Sequence, residues 1–178
     1  MSTLTADPGF ARGQTLGITI AAYESDVGDG SNVTGTRKVF RDEDPKTGVL
    51  KSNRTVECIA VKNTSGSAIL PGAVAKFKNA ALLTEVDGLA VADTTLMGVV
   101  DEYLPAAGVP NNEVFWLVVR GPSTVTKTAT SVAAGAAYGP SATAGSAAAQ
   151  GANAQLGFAI ETSATTSGRI LVRTNAGF

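Results

Sequence analysis

The sequence predicts an all-β protein, a small barrel or sandwich with an extended N-terminal arm, and three observations carry that expectation. Short apolar, β-branched runs recur through residues 55–178, and 20 Gly and 7 Pro punctuate the chain. The Ala-rich stretch Thr128–Ala154 is interrupted by Gly135, Gly139, Pro140, Gly145 and Gly151, too often for a helix, and reads as loops and tightly packed strands with at most one short helical turn. A length of 178 residues suits one compact domain, and 44% hydrophobic content lies above the range of disordered chains.

In order along the chain, residues 1–36 are rich in Gly, Ser, Thr and Asp around one apolar patch, Leu16 to Tyr23. They read as an arm with little core of its own. The patch imitates the apolar part of a signal peptide, but it contains Gly and Thr and lacks a positive cluster before it. Residues 37–54 (RKVFRDEDPKTGVLKSNR) hold six of the 14 basic residues against Asp42, Glu43 and Asp44. Such a segment reads either as a charged hairpin that keeps a sheet edge soluble or as a surface for an acidic protein. The arm is therefore 1–54 and the core 55–178. Within the core, TVECIAVKN (55–63), AILPGAVAKF (68–77), LMGVVDEYL (96–104), NEVFWLVVR (112–120), QLGFAIET (155–162) and RILVRT (169–174) read as strands. Thr128 to Ile160 carries no charge, but Gly, Pro, Ser, Thr, Asn and Gln occur throughout, so it is not a transmembrane helix.

The core also echoes itself. Residues 69–77 resemble 132–140, Met97 to Glu102 resembles Leu156 to Glu161, and Val114 to Arg120 resembles Arg169 to Arg173, in the same order. A degenerate duplication explains this, with chance recurrence in a Gly/Ala-rich chain as the competing reading. Two such units would pair into one small barrel, each using its Gly where a strand bends or approaches another backbone.

Little in the sequence carries chemistry. A chain with no His lacks the commonest general base and zinc ligand, and no phosphate-binding glycine motif or esterase elbow occurs. Cys58 sits mid-strand, where a buried apolar role is expected, and as the only Cys it forms no intrachain disulfide. Asp101/Glu102 and Asp42/Glu43/Asp44 read as solvated turns, and the run from Asp26 to Asn32 lacks the Glu of a calcium loop. Three N-x-[ST] triplets, at Asn32, Asn53 and Asn63, occur about as often as chance predicts. Neither a cofactor nor a metal is expected, and a net charge of −1 removes the basic signature of a nucleic-acid binder.

One aromatic pair remains. Phe115 and Trp116 are adjacent on a predicted strand and must face opposite sides, so one ring enters the core. The other is covered by the chain's own arm or by a neighbouring subunit, which makes Phe115 and Trp116 the candidates for an oligomer interface.

At LPGAVAKF, LMGVVDE, VFWLVVRG and GFAIETSATTSGRILVR, across roughly residues 55–178, the chain resembles the capsid cement or head-decoration proteins of tailed bacteriophages. The resemblance implies a β-rich protein that binds the outside of an icosahedral shell and reinforces it against packaged DNA. The partners it implies are the major capsid protein and further copies of the chain, as a trimer first and a dimer second. Neither nucleic acid nor membrane is a partner. On this reading the arm docks on the shell or an adjacent subunit, with Phe10, Leu16, Ile18, Ile20, Tyr23, Val39 and Phe40 buried there and Arg37, Lys38, Arg41, Lys46, Lys51 and Arg54 at the rim. The alternative is a carbohydrate- or receptor-binding β-sandwich that stacks Trp116 with Tyr138 or Tyr103 on sugar faces.

Overall fold

The computed structural model describes residues 16–20, 34–128, 131–152 and 154–174, which contain strands and turns and no helix. The strands are β1 (Thr19–Ile20), β2 (Arg37–Glu43), β3 (Leu50–Asn63), β4 (Val74–Phe77), β5 (Glu85–Leu89) and β6 (Met97–Val100). They continue with β7 (Val114–Thr126), β8 (Ala137–Pro140), β9 (Ala147–Ala149), β10 (Gly157–Ala159) and β11 (Ser167–Arg173). All belong to one hydrogen-bonded sheet. The all-β expectation holds.

The sheet closes on itself. β3 runs parallel to β5 at Lys62 and Asn63 and antiparallel to β7, while β5–β4, β4–β6 and β6–β7 complete the circuit. The result is a five-stranded barrel whose interior follows the strand period of two. Ile59 and Val61, Ala75 and Phe77, and Phe115, Leu117 and Val119 are buried together inside it. The alternate residues Cys58 and Ala60, Val74, Trp116 and Val118 face outward into a second buried cluster.

That second cluster continues along a second ring, through Val125, Tyr138, Ala147, Ala159, Ile170 and Val172. β8 pairs with β9 and β10, β10 with β11, and β11 with residues Arg120–Thr126 of β7; an isolated parallel bridge, Lys127 to Ala147, returns β9 to the end of β7. The echo in the sequence is thus repeated in the register. Ala75 lies opposite Gly98 as Tyr138 lies opposite Gly157, and each unit opens with a bridge (Ile69 or Val132) and a turn containing a positive-φ Gly (Gly72 or Gly135). Glycine is required at the shared position. A Cβ on Gly157 would collide with the Leu171 carbonyl oxygen, and one on Gly98 would lie 2.9 Å from that of Val118, the equivalent residue. The two units do not merge into one barrel. Each closes its own ring, and the 13-residue β7 is the wall they share.

The boundary expected between residues 54 and 55 falls inside β3, so no arm separates from a core there. β2 and β3 form the charged hairpin, with Arg37 opposite Ile59 and Phe40 opposite Val56, closed by a turn at residues 44–48. In that turn the Asp44 carboxylate accepts the Lys46 N–H at 2.8 Å, a bond that lowers its pKa. Leu16 is buried in the second cluster, and β1 pairs with residues 114 and 115 of β7.

Phe115 and Trp116 are both fully buried, and this corrects their placing at an oligomer interface. β7 has a core on each face, so each ring finds its own. Phe115 fills the first barrel, and Trp116 packs edge-on against Phe40 of the hairpin, centroids 5.2 Å apart at 71°. Edge-to-face contact of this kind adds about 0.5–1.5 kcal/mol to the burial of the rings.

Candidate functional site

Six charged or polar side chains from five parts of the chain meet where the hairpin lies against the body. The Arg169 guanidinium (β11) pairs with Asp42 (β2) through Nη2 and with Glu102, beyond β6, through Nη1 at 3.3 Å. Lys51 (β3) approaches Glu102 at 2.9 Å, and Ser52 donates its hydroxyl to Asp42 at 2.5 Å. Thr124 of β7 donates both its N–H and its hydroxyl to Glu102. Burial alone would push the Arg169 pKa down, but the Asp42 hydrogen bond and the Glu102 charge outweigh it and hold it above the ordinary value. Lys51 follows the same balance: burial lowers its pKa, and Tyr103 and Glu102 raise it further. The cluster fastens the hairpin to the body as a rigid strut.

Asp101 fastens the N-terminal segment. Its carboxylate is almost wholly buried and accepts N–H groups from Gly17 at 2.5 Å and Tyr103 at 3.0 Å. Desolvation outweighs both bonds and lifts its pKa from 3.8 to about 6. An acid whose pKa is raised on folding stabilises the fold below its unfolded pKa, and that contribution is lost as pH rises through about 6. The shift corresponds to roughly 3 kcal/mol. The stability difference between the parent chain and Asp101→Asn should therefore change by about that much between about pH 3 and pH 8, in the variant's favour at the higher pH. Denaturant titrations of both proteins across that range would check it; parallel curves would reject it.

These clusters claim several residues expected at a docking surface. Lys51 is held by Glu102, with its ammonium 4.5 Å from the Tyr103 ring centroid. Phe40 covers Trp116, and Leu16 is core, so both serve the fold. Lys38 lies over the Phe40 ring, and Arg37 pairs with Glu57 at 3.7 Å. Phe10, Tyr23 and the Ile20 side chain lie outside the described residues. The sugar-stacking reading loses its rings as well: Trp116 and Tyr138 are buried, and Tyr103 is half-buried beneath Lys51. Cys58 is fully buried, and desolvation raises its thiol pKa well above the ordinary value, which keeps it unreactive.

What stays on the surface is the outer side and tip of the hairpin. Val39, Val49 and Leu50 are 59%, 61% and 45% exposed, with Arg41, Lys46 and Arg54 also exposed on the hairpin and Ile18 exposed just before β1. Beside the hairpin, an open cleft of about 480 Å³ runs between its outer side and the junction of β7 with β11, lined by Val39, Arg54, Glu57, Arg120, Leu171 and Arg173 among others. Sequence reasoning missed Arg120 and Arg173 as site residues. The signal was the echo itself, which aligns VFWLVVR with RILVR.

Among the described residues, no group of His, Cys, Asp and Glu side chains is placed to hold a metal ion, and no helix is long and apolar enough to cross a membrane. In comparisons with known proteins, no family model matches the chain and no curated protein does.

Proposed function

We propose that this chain is a capsid cement protein of a tailed bacteriophage, which binds the major capsid protein on the outside of the expanded shell and resists the pressure of packaged DNA. Its place is the virion surface, after synthesis in the host cytoplasm. The observation that carries this reading is the hairpin: an exposed apolar tip, Val49 and Leu50, with Lys46 exposed in its turn and Arg41 and Arg54 along its strands, braced on a closed β body by ion pairs to Arg169. A rigid apolar tip meets a partner without first having to order itself, which lowers the entropic cost of binding. On a repeating lattice, modest contacts at each site add through effective concentration. The resemblance at LPGAVAKF, LMGVVDE and VFWLVVRG points the same way.

Sedimentation with emptied, expanded shells tests the proposal. The full chain should pellet with the shells, and Val49→Asp/Leu50→Asp should weaken retention about tenfold or more while leaving the melting temperature unchanged. A chain that stays in the supernatant would overturn this function, and a double variant retained as tightly as the parent would remove the hairpin tip from it.

A further inference from the structure

We propose that the cleft between the hairpin and the β7–β11 junction is a binding site for an extended, carboxylate-rich segment of a partner protein. Its centre is an unfavourable arrangement. Arg120 and Arg173 lie directly opposite each other in the antiparallel ladder, and like charges in that relation destabilise a sheet. Both are exposed, and Arg54 joins them on the wall of the same cleft. None of the three has an acidic partner among the described residues. Glu57, which faces Arg120 in the register of β3 and β7, is occupied instead by Arg37.

The position is also the point of near symmetry between the two units. Val99 faces Val118 as Phe158 faces Leu171, which makes Arg173 the counterpart of Arg120. The repeat thus brings two copies of one arginine together. A carboxylate between their guanidinium groups would relieve the repulsion and accept hydrogen bonds in the forked geometry that arginine presents.

The walls select the kind of acid. Val39 and Leu171 supply apolar surface between the charges, and an extended peptide that alternates acidic and apolar side chains matches such a wall. Nucleic acid matches it less well. Among the described residues no aromatic side chain lines the cleft for a base to stack on, and the chain as a whole carries a net charge of −1, which does not attract a polyanion from a distance. The inference goes beyond the capsid reading and does not depend on which protein carries the acidic segment.

Fluorescence anisotropy with the full chain and a labelled peptide of alternating Glu and Val tests it. Binding should be salt-sensitive and should weaken about tenfold or more in Arg120→Gln/Arg173→Gln. The same number of charges removed outside the cleft, at the end of β4 in Lys76→Gln/Lys78→Gln, should change it less than about twofold. Both variants are surface substitutions, and a circular dichroism spectrum matching that of the parent establishes that they fold. Three outcomes would overturn the proposal: no binding of the peptide, equal losses in the two double variants, or displacement of the peptide by an oligothymidylate at lower concentration than by unlabelled peptide. Because no shell enters the experiment, its failure leaves the capsid reading standing, and failure of shell binding leaves the cleft standing.

Discussion

Gly121→Ala is expected to be among the most damaging single substitutions in the chain, with a loss of about 3–5 kcal/mol. Two costs add. Gly121 has φ of +103° inside β7, a conformation that strains any residue with a Cβ by about 1–3 kcal/mol. A methyl group there would collide with the Thr55 carbonyl oxygen and lie 2.9 Å from the Val56 Cα, and overpacking against backbone that cannot yield adds about 1–3 kcal/mol. Domains are stable by only about 5–15 kcal/mol, so the melting temperature should fall by roughly 10 °C or more. Gly151→Ala is the matched control, since a Cβ there meets no atom within 4 Å. Thermal and urea unfolding of the two variants would decide. A loss below about 1 kcal/mol in Gly121→Ala would show that β3 does not cross β7 as closely as described.

The second large effect is expected at Arg169. Arg169→Leu leaves Asp42, whose side chain is 2% exposed, with only the Ser52 hydroxyl as a partner among the described residues, and an uncompensated buried charge costs about 3–5 kcal/mol. The Arg169 side chain is itself 16% exposed, so water reaching the vacated space places the loss near the lower figure. The informative comparison is with Asp42→Leu/Arg169→Leu. Removing both charges should recover most of the loss, because the penalty belongs to the stranded carboxylate more than to the missing bond. Equilibrium unfolding of the two single variants and the double variant closes the cycle. Additive losses would show that the two side chains act independently and that the strut is not a unit.

Local chemistry made much of this fold legible. Alternation in TVECIAVKN and VFWLVVR placed β3 and β7, and the adjacency of Phe115 and Trp116 required their rings to face opposite sides, as they do. The echo placed Gly98 and Gly157 at one structural position. β5 was missed because EVDGL has poor strand propensity and a single buried residue, Val86; its pairing with β3 and β4 makes it a strand. The sequence leaves the covering of the second ring open between arm and neighbouring subunit, and the contact of Phe40 with Trp116 decides it for the chain itself. The ion cluster was illegible for a different reason. Asp42 and Arg169 are separated by 127 positions, and no periodicity reports a contact made only when the sheet closes. Lys51 looked like a rim charge on the same account, since Glu102 reaches it from 51 positions away.

The shared wall also dictates the order in which the chain can acquire structure. β3 pairs early with β2, but its ring partner β7 begins only at Val114, about fifty residues after β3 runs out at Asn63, and the first ring cannot close before then. Closing so long a loop costs entropy before any pairing returns it, which makes folding slow relative to a helical chain of this size. The second ring in turn hangs on the far half of the same strand. During synthesis, neither half can complete its core until residues 114–126 have left the ribosome. Until then Ile59, Val61 and Val74 stand without the β7 residues that bury them, and the nascent chain is at its most exposed to aggregation at that stage.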